Sequence, residues 1–454
     1  MREKLSSRLG FILLSAGCAI GIGNVWRFPY VTGQSGGGWF VFIYLFFLAV
    51  LGIPVLVMEF AVGRAAQRSL AKAHATLTPA KKPWRLHGVA GLVGNTMLMM
   101  FYTTVAGWMV IYFLKTAAGA FAGMGPEAIG AAFGALLKDP AQQTAAMVGV
   151  SLGSAAVCAV GLQKGLERVT KWMMLALLAL IVVLAANSVM LDGAGEGLRF
   201  YLVPDFARMK SVGLMSVIAN AMNQAFFTLS LGIGAMTIFG SYIGRERSLL
   251  GEAVHVAVLD TVVAVCAGLI IIPACFAYGV EAGQGPGLIF VTLPNVFSHM
   301  AYGRFWGALF FLFMSFAALS TVLAVFETII AGIRDYTGWG RTATCALVGV
   351  GIAALSMPCI FGFNLWSGFH PLGGETNVLD LEDFLLSDLL LPLGSLAFAT
   401  YCGHRYGWGW EKFLAESNAG EGLRFPAWAR LHCAYVLPVV IVTIFVLGLI
   451  RRFS

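Results

Sequence analysis

Asp260 lies in the middle of a long apolar run, and no Lys or Arg falls between 248 and 303 to pair with it. A carboxyl group so placed needs a cation or a proton. Ser320 and Thr321 set two hydroxyls side by side in another apolar run. Hydroxyls and peptide carbonyls suit a hard cation, because they offer several oxygens without fixed charge. Back-bonding of the hydroxyls to their own helix explains the pair as well, and on spacing alone explains it better. Glycine interrupts two further apolar segments, Gly17-Cys-Ala-Ile-Gly21-Ile-Gly23-Asn24 and Phe227-Thr228-Leu-Ser230-Leu-Gly232-Ile-Gly234. Glycine is poor in helix interiors and permits unwinding. Unwound backbone at membrane depth is tolerated only where it lines a cavity or is buried in protein. Its freed carbonyls suit a cation, and the positive end of a half-helix suits a carboxylate. Close packing through small residues is the alternative for either segment alone.

The elements that carry these residues are membrane spans. Of 454 residues, 59% are hydrophobic and 11% charged, against roughly 25% charged in soluble domains. Mean hydropathy is +0.83. This excludes a soluble enzyme, a nucleic-acid-binding domain and a disulfide-stapled module. The eight cysteines show no CxxC or Cys/His spacing and read as buried thiols. No HExxH, no GxSxG and no paired intramembrane acids occur, so the chain reads as no enzyme. About 20 apolar residues cross a bilayer, and eleven segments qualify: 9–30, 38–62, 89–117, 144–162, 170–191, 214–240, 252–280, 305–332, 342–362, 384–403 and 431–450. The first continues unbroken past Cys18, which argues against a cleaved signal.

Lys and Arg are concentrated at the N-terminus (Arg2, Lys4, Arg8) and after the second span (Arg64, Arg68, Lys72, Lys81, Lys82, Arg85). That bias predicts a cytoplasmic N-terminus in an inner or plasma membrane. Arg451 and Arg452 then violate the rule mildly at an outside C-terminus. Broken segments in first and sixth place predict two five-helix halves, 9–191 and 214–403, with a helix at 431–450 added, in one transmembrane domain over 1–454.

Arg8-Leu-Gly-Phe, Gly21-Ile-Gly-Asn-Val-Trp-Arg-Phe-Pro-Tyr30, Gly36-Gly-Gly38 and Glu59-Phe-Ala-Val-Gly-Arg64 together resemble the opening of a neurotransmitter:sodium symporter. Phe226-Phe-Thr-Leu-Ser-Leu-Gly-Ile-Gly-Ala235 and Phe316-Ala-Ala-Leu-Ser-Thr321 extend the likeness to the bacterial amino-acid branch. The resemblance covers nearly the whole chain and implies an all-α polytopic membrane protein. Its fold would be the LeuT-type 5+5 inverted repeat with helices one and six broken.

It also implies two Na+ sites. The first would take the Ala19 carbonyl, Asn24, Thr228 and Asp260, together with a substrate carboxylate. The second would take the carbonyls of Gly17, Ile20 and Ala317 with the hydroxyls of Ser320 and Thr321. Chloride-dependent relatives hold an anion near positions matching Tyr44, Gln224 and Thr228. Asp260 resembles the acid that replaces it, so no chloride requirement is expected. Gly21 stands where amine-transporting relatives carry an aspartate, which points to an amino acid that brings its own carboxylate, met by Tyr102. The substrate would lie among Cys18, Ala19, Gly21, Ile22, Gly23, Leu98, Tyr102, Phe227, Thr228, Ser230, Ile233, Thr321, Ala324 and Val325. Their apolar character favours a neutral, hydrophobic or aromatic side chain.

By the same resemblance Arg27 and Asp383, at the start of span ten, close an outer gate with Phe227. Arg2 and Asp335 close an inner one, with Tyr242 nearby. Two departures stand out. Leu5 replaces a common tryptophan, predicting a looser N-terminal latch, and span five lacks the proline that relatives carry between positions matching Pro140 and Pro204. The implied activity is sodium-coupled import by alternating access. An osmolyte such as taurine or betaine is the alternative cargo, and a non-transporting sensor a more distant one. The bilayer and a small molecule are the expected partners, with no nucleic acid and no obligate protein partner.

Overall fold

The computed structural model describes residues 3–279 and 287–453, the last three as backbone alone. Arg2 and the end of the segment expected at 252–280 lie outside the described residues. Everything described is helical or loop apart from one bridge, Arg247 to Glu421. With apolar side chains facing lipid, helix is the arrangement that satisfies each backbone group within its own segment.

Among the described residues nine helices are long and apolar enough to cross a membrane: Gly38–Ala66, Trp84–Ala117, Pro140–Val160, Leu162–Val189, Leu249–Ala277, Gly303–Thr337, Arg341–Phe361, Val378–Gly403 and Ala427–Ile450. A tenth span is the pair Arg8–Ala19 and Gly23–Gln34, bent by 57°. The segment expected at 214–240 is split into Leu214–Thr228 and Ala235–Gly240, neither long enough alone. Among the described residues up to ten spans thus stand by length, and the sixth of the eleven expected is a broken element.

The third span (Trp84–Ala117) and the eighth (Gly303–Thr337) form the centre, with 72% and 78% of the residues in their apolar stretches buried, and pack against each other. In Ala427–Ile450 only 28% of the residues in the apolar stretch are buried, which places it at the rim. The broken first span packs against the eighth and the seventh (Leu249–Ala277), so its break faces the middle of the bundle. All eight cysteines are free, and all but the half-buried Cys266 are buried.

Two expectations are corrected in detail. Asp383 does not begin span ten. That helix starts at Val378, where Asn377 and Asp380 cap each other reciprocally (2.8 and 3.3 Å), and Asp383 sits more than a turn inside. The N-terminal segment is also well tied despite Leu5. Glu167 accepts from Ser6 N (2.8 Å) and Ser6 Oγ (2.6 Å), Gln163 donates to the Lys4 carbonyl (2.8 Å), and Arg8 pairs with Glu252 at 2.9 Å.

Candidate functional site

The break in the first span begins where Ile20 leaves helical geometry (ψ 100°). The chain resumes as helix at Gly23, and the Ile22 N–H donates to the Tyr102 hydroxyl at 2.9 Å. Having accepted there, that hydroxyl keeps its own hydrogen for a further acceptor. A Cβ on Gly21 would run into the Tyr102 hydroxyl and come within 2.9 Å of Thr321 Oγ1. The position is therefore glycine for want of room.

The sixth segment breaks at Ser230, Gly232 and Gly234, which take φ of +50°, +102° and +73°. Side chains from spans two and three satisfy its freed backbone groups. The buried Glu59 carboxyl group accepts from Gly232 N at 2.6 Å and Met236 N at 3.2 Å, placing its oxygens at the start of Ala235–Gly240. Asn95 donates to the Ile233 carbonyl at 2.8 Å.

Between the breaks lies a cavity of about 430 Å³, within the ~300–1,000 Å³ typical of small-molecule sites. Cys18, Ala19, Gly21, Ile22, Gly23, Leu98, Tyr102, Phe227, Thr228, Ser230, Ile233 and Thr321 all line it. Ala324 and Val325 do not; both are buried in span eight. Sequence reasoning missed Phe101 and Val105, one and two turns along the same face of span three as Leu98, a spacing that could have flagged them. The charged lining, Arg27 with Asp380, Asp383 and Asp388, comes from the second half of span one and from span ten.

Thr321 Oγ1 lies 3.2 Å from the Gly17 carbonyl oxygen, 3.1 Å from that of Ile20 and 3.3 Å from that of Ala317. Ser320 Oγ is 3.0 Å from the Ala317 oxygen. One hydroxyl hydrogen cannot serve three carbonyls, so lone pairs from separate chain segments converge without enough donors. That donor set fits a hard monovalent cation.

Asn24, Thr228 and Asp260 also converge. Asn24 Nδ2 donates to Asp260 Oδ1 (2.7 Å) and lies 3.1 Å from Thr228 Oγ1, which donates to Asp260 Oδ2 (2.8 Å). The Asn24 side-chain oxygen, Oδ1, accepts from Gly21 N (3.1 Å). The amide nitrogen thus presents its hydrogens to oxygens that a cation could bridge. For Asn24 to offer its own oxygen there, the amide must turn over and release Gly21. Among the described residues no cluster of His, Cys, Asp and Glu is built for a transition metal.

On the side opposite the N-terminus, the Arg27 guanidinium lies 4.2 Å over the Phe227 ring, and Asp383 accepts from Ser387 Oγ at 2.6 Å. Among the ion pairs of the described residues, none joins Arg27 to Asp383. At the other end Asp335 accepts from Ser69 N (2.8 Å) and Ser69 Oγ (2.7 Å) and pairs with Arg68 at 3.3 Å. Tyr242 donates to Glu327 Oε1 at 2.6 Å, and Arg341 holds the same carboxylate at 2.5 Å. Glu327, an acid buried in span eight, was missed from sequence; its rarity inside a span was the available signal.

A bundle with two interrupted helices meeting at a central cavity, beside clusters of neutral oxygen ligands, is the architecture of an ion-coupled secondary transporter. The profile of the Sodium:neurotransmitter symporter family matches residues 2–122 and 132–453, and the chain belongs to that family. It is 34% identical to the uncharacterized sodium-dependent transporter YhdH of Bacillus subtilis (strain 168), over 97% of this chain and 96% of the relative. An uncharacterized sodium-dependent transporter of Haemophilus influenzae is 30% identical over 99% and 98%. Among solved structures, MhsT in complex with L-phenylalanine superposes with a TM-score of 0.87 at 36% identity, covering 98% of this chain and 99% of that one. The protein is a multi-pass, sodium-coupled membrane transporter of a small molecule, and not an enzyme.

Proposed function

We propose that this transporter imports neutral hydrophobic or aromatic α-amino acids by alternating access, coupled to two Na+ ions and independent of chloride. One observation carries the reading: the part of the cavity between the two helix breaks is lined by apolar side chains, hydroxyls and backbone, with glycine at position 21. A substrate there must bring its own carboxylate, and a charged side chain would lie unpaired. The carboxylate would meet the Tyr102 hydroxyl and the N-terminal end of Gly23–Gln34, and complete the shell of the ion at Asn24, Thr228 and Asp260. A second ion would sit in the cradle of Gly17, Ile20, Ala317, Ser320 and Thr321. Asp260 supplies the negative charge that an anion would otherwise bring. The phenylalanine bound to MhsT is consistent with this class of cargo.

The cycle follows from which end is tied. With the N-terminus in the cytoplasm, as the Lys and Arg distribution favours, the Glu327 and Asp335 networks close the inner end. Arg27 and Asp383 stand apart at the outer one. Substrate and ions enter from outside, Arg27 and Asp383 close over Phe227, and the inner networks then release. Leu162–Glu167 at the start of span five runs in wide turns behind Gly161 (φ +121°), which gives a weakly wound stretch in place of the missing proline. Each net charge carried across 100 mV adds roughly 2.3 kcal/mol to the driving force.

Binding of labelled tryptophan and leucine to purified protein tests the reading in sodium chloride, sodium gluconate and potassium chloride. Binding that needs sodium and survives the loss of chloride is expected. Equal binding in potassium refutes the sodium sites, and no binding in any salt with uptake of taurine or betaine refutes the substrate class.

A further inference from the structure

Ile233 lines the cavity, and the peptide groups before and after it set where its side chain points. The Gly232 N–H is held by Glu59 and the Ile233 carbonyl by Asn95. The Gly232 carbonyl faces a third side chain, His87 of span three, whose Nε2 lies 3.3 Å away. A carbonyl accepts only, so His87 Nε2 must carry the hydrogen. With that hydrogen in place the His87 ring either is neutral with Nδ1 as an acceptor or is an imidazolium with both nitrogens donating. That Nδ1 lies 2.9 Å from Nε2 of His74, on the short helix Leu70–Leu77 between spans two and three.

The tautomers follow in order. His74 Nε2 donates to His87 Nδ1, and His87 Nε2 donates to Gly232. His74 Nδ1 is left as a buried lone pair, and it has no hydrogen-bond partner among the described residues. Aromatic rings wall the pair: Tyr401 lies 4.2 Å and Trp84 6.2 Å from the His74 ring, and Phe398 lies 4.7 Å from His87, as centroid distances. Tyr401 is the titratable neighbour, with its hydroxyl 3.1 Å from Thr78 Oγ1. Among the described residues no carboxylate bonds to either imidazole. Burial, and then the adjacent His87 ring, holds His74 well below the usual imidazole range, so that ring stays uncharged at neutral pH. Both rings are thereby locked in one tautomer, and the lock starts at His74.

We infer that His74, which does not touch the substrate cavity, is a positioning residue that acts through His87 to hold the substrate-binding break of the sixth segment in its bound geometry. Without the His74 donor, His87 is free to move its hydrogen to Nδ1 and turn a lone pair toward the Gly232 carbonyl. The peptide between Leu231 and Ile233 then loses one of its three supports, and the floor of the cavity loosens. The substrate site is thereby tied to a helix on the N-terminal side of the protein. The inference rests on that break being the amino-acid site.

The test compares His74→Phe, which keeps a flat ring but removes the donor, with His74→Gln, whose Nε2 can still donate to His87. Equilibrium binding of labelled L-phenylalanine in saturating sodium should weaken about tenfold in His74→Phe, the order expected for one supporting hydrogen bond. It should stay within about threefold of the parent protein in His74→Gln. The same loss in both variants, or full affinity in His74→Phe, overturns the inference. Nitrogen-15 histidine NMR of the unsubstituted protein in sodium needs no substrate, so it decides the point even where L-phenylalanine binding fails and the substrate reading falls. His74 and His87 should both appear as neutral Nε2–H tautomers, and a Nδ1–H tautomer or an imidazolium at either position overturns the proposal.

Discussion

Replacing Thr321 with valine removes one oxygen from the cradle under the first span and leaves its shape almost unchanged. In the folded protein that oxygen sits between three carbonyls at 3.1 to 3.3 Å. Only one of those contacts can be a hydrogen bond at a time, so Thr321→Val costs the ion-free protein about 1 kcal/mol or less. The ion-bound protein loses a direct ligand. A polar contact to a charged partner is worth about 1.5–3 kcal/mol, and a middle value of about 2 kcal/mol corresponds to a roughly 30-fold change in affinity. The sodium concentration for half-maximal amino-acid binding should therefore rise by about that factor, with radioactive sodium binding weakened in parallel. The thermal midpoint without sodium should move little. A half-saturating sodium concentration within twofold of the parent protein would show that the five oxygens do not hold a coupled ion. A large drop in midpoint with unchanged sodium response would make Thr321 a packing residue.

Gly21→Ala should weaken amino-acid binding by more than tenfold, measured by equilibrium binding, because its Cβ would press on the Tyr102 and Thr321 hydroxyls; retained affinity would mean that the substrate lies elsewhere. Asp260→Asn keeps the side-chain volume and removes the charge, so binding should become several-fold stronger in sodium chloride than in sodium gluconate. Equal binding in both salts would refute the charge role. Glu59→Gln replaces the buried carboxylate that receives two backbone N–H groups of the broken sixth segment. It should lower the thermal midpoint in scanning fluorimetry and weaken substrate binding together, and a variant as stable as the parent would contradict the helix-end role.

Much of this site was legible in the chain because its ingredients are rare in a membrane. An acid in a run without a basic partner and glycines clustered in two apolar segments each violate the ordinary rules for a spanning helix. The violations mark Asp260 and the breaks at Gly21 and Gly232. Ser320 and Thr321 were different, since hydroxyls at that spacing back-bond in many helices, and it took the resemblance of the surrounding motifs to single them out. Glu327 and His74 passed unnoticed. Glu327, buried within Gly303–Thr337, breaks the same rule as Asp260 and could have been marked by it, whereas a histidine in a basic loop is usual and its partners lie in other segments.

The sequence by itself determined that the chain lives in a bilayer, where its helices fall, which of them break, and that no fixed charge would sit at position 21. These follow from local composition, because lipid forces each segment to satisfy its own backbone. Only the tertiary structure decided that Thr321 meets the carbonyls of Gly17 and Ile20, some 300 positions earlier in the chain. It alone decided that Ala324 and Val325 turn away from the cavity, that Asp383 lies inside its helix, and that two histidines brace the Gly232 peptide. Those facts depend on helix rotation and on contacts between distant segments, which hydrophobic periodicity leaves open when almost every face of a helix is apolar.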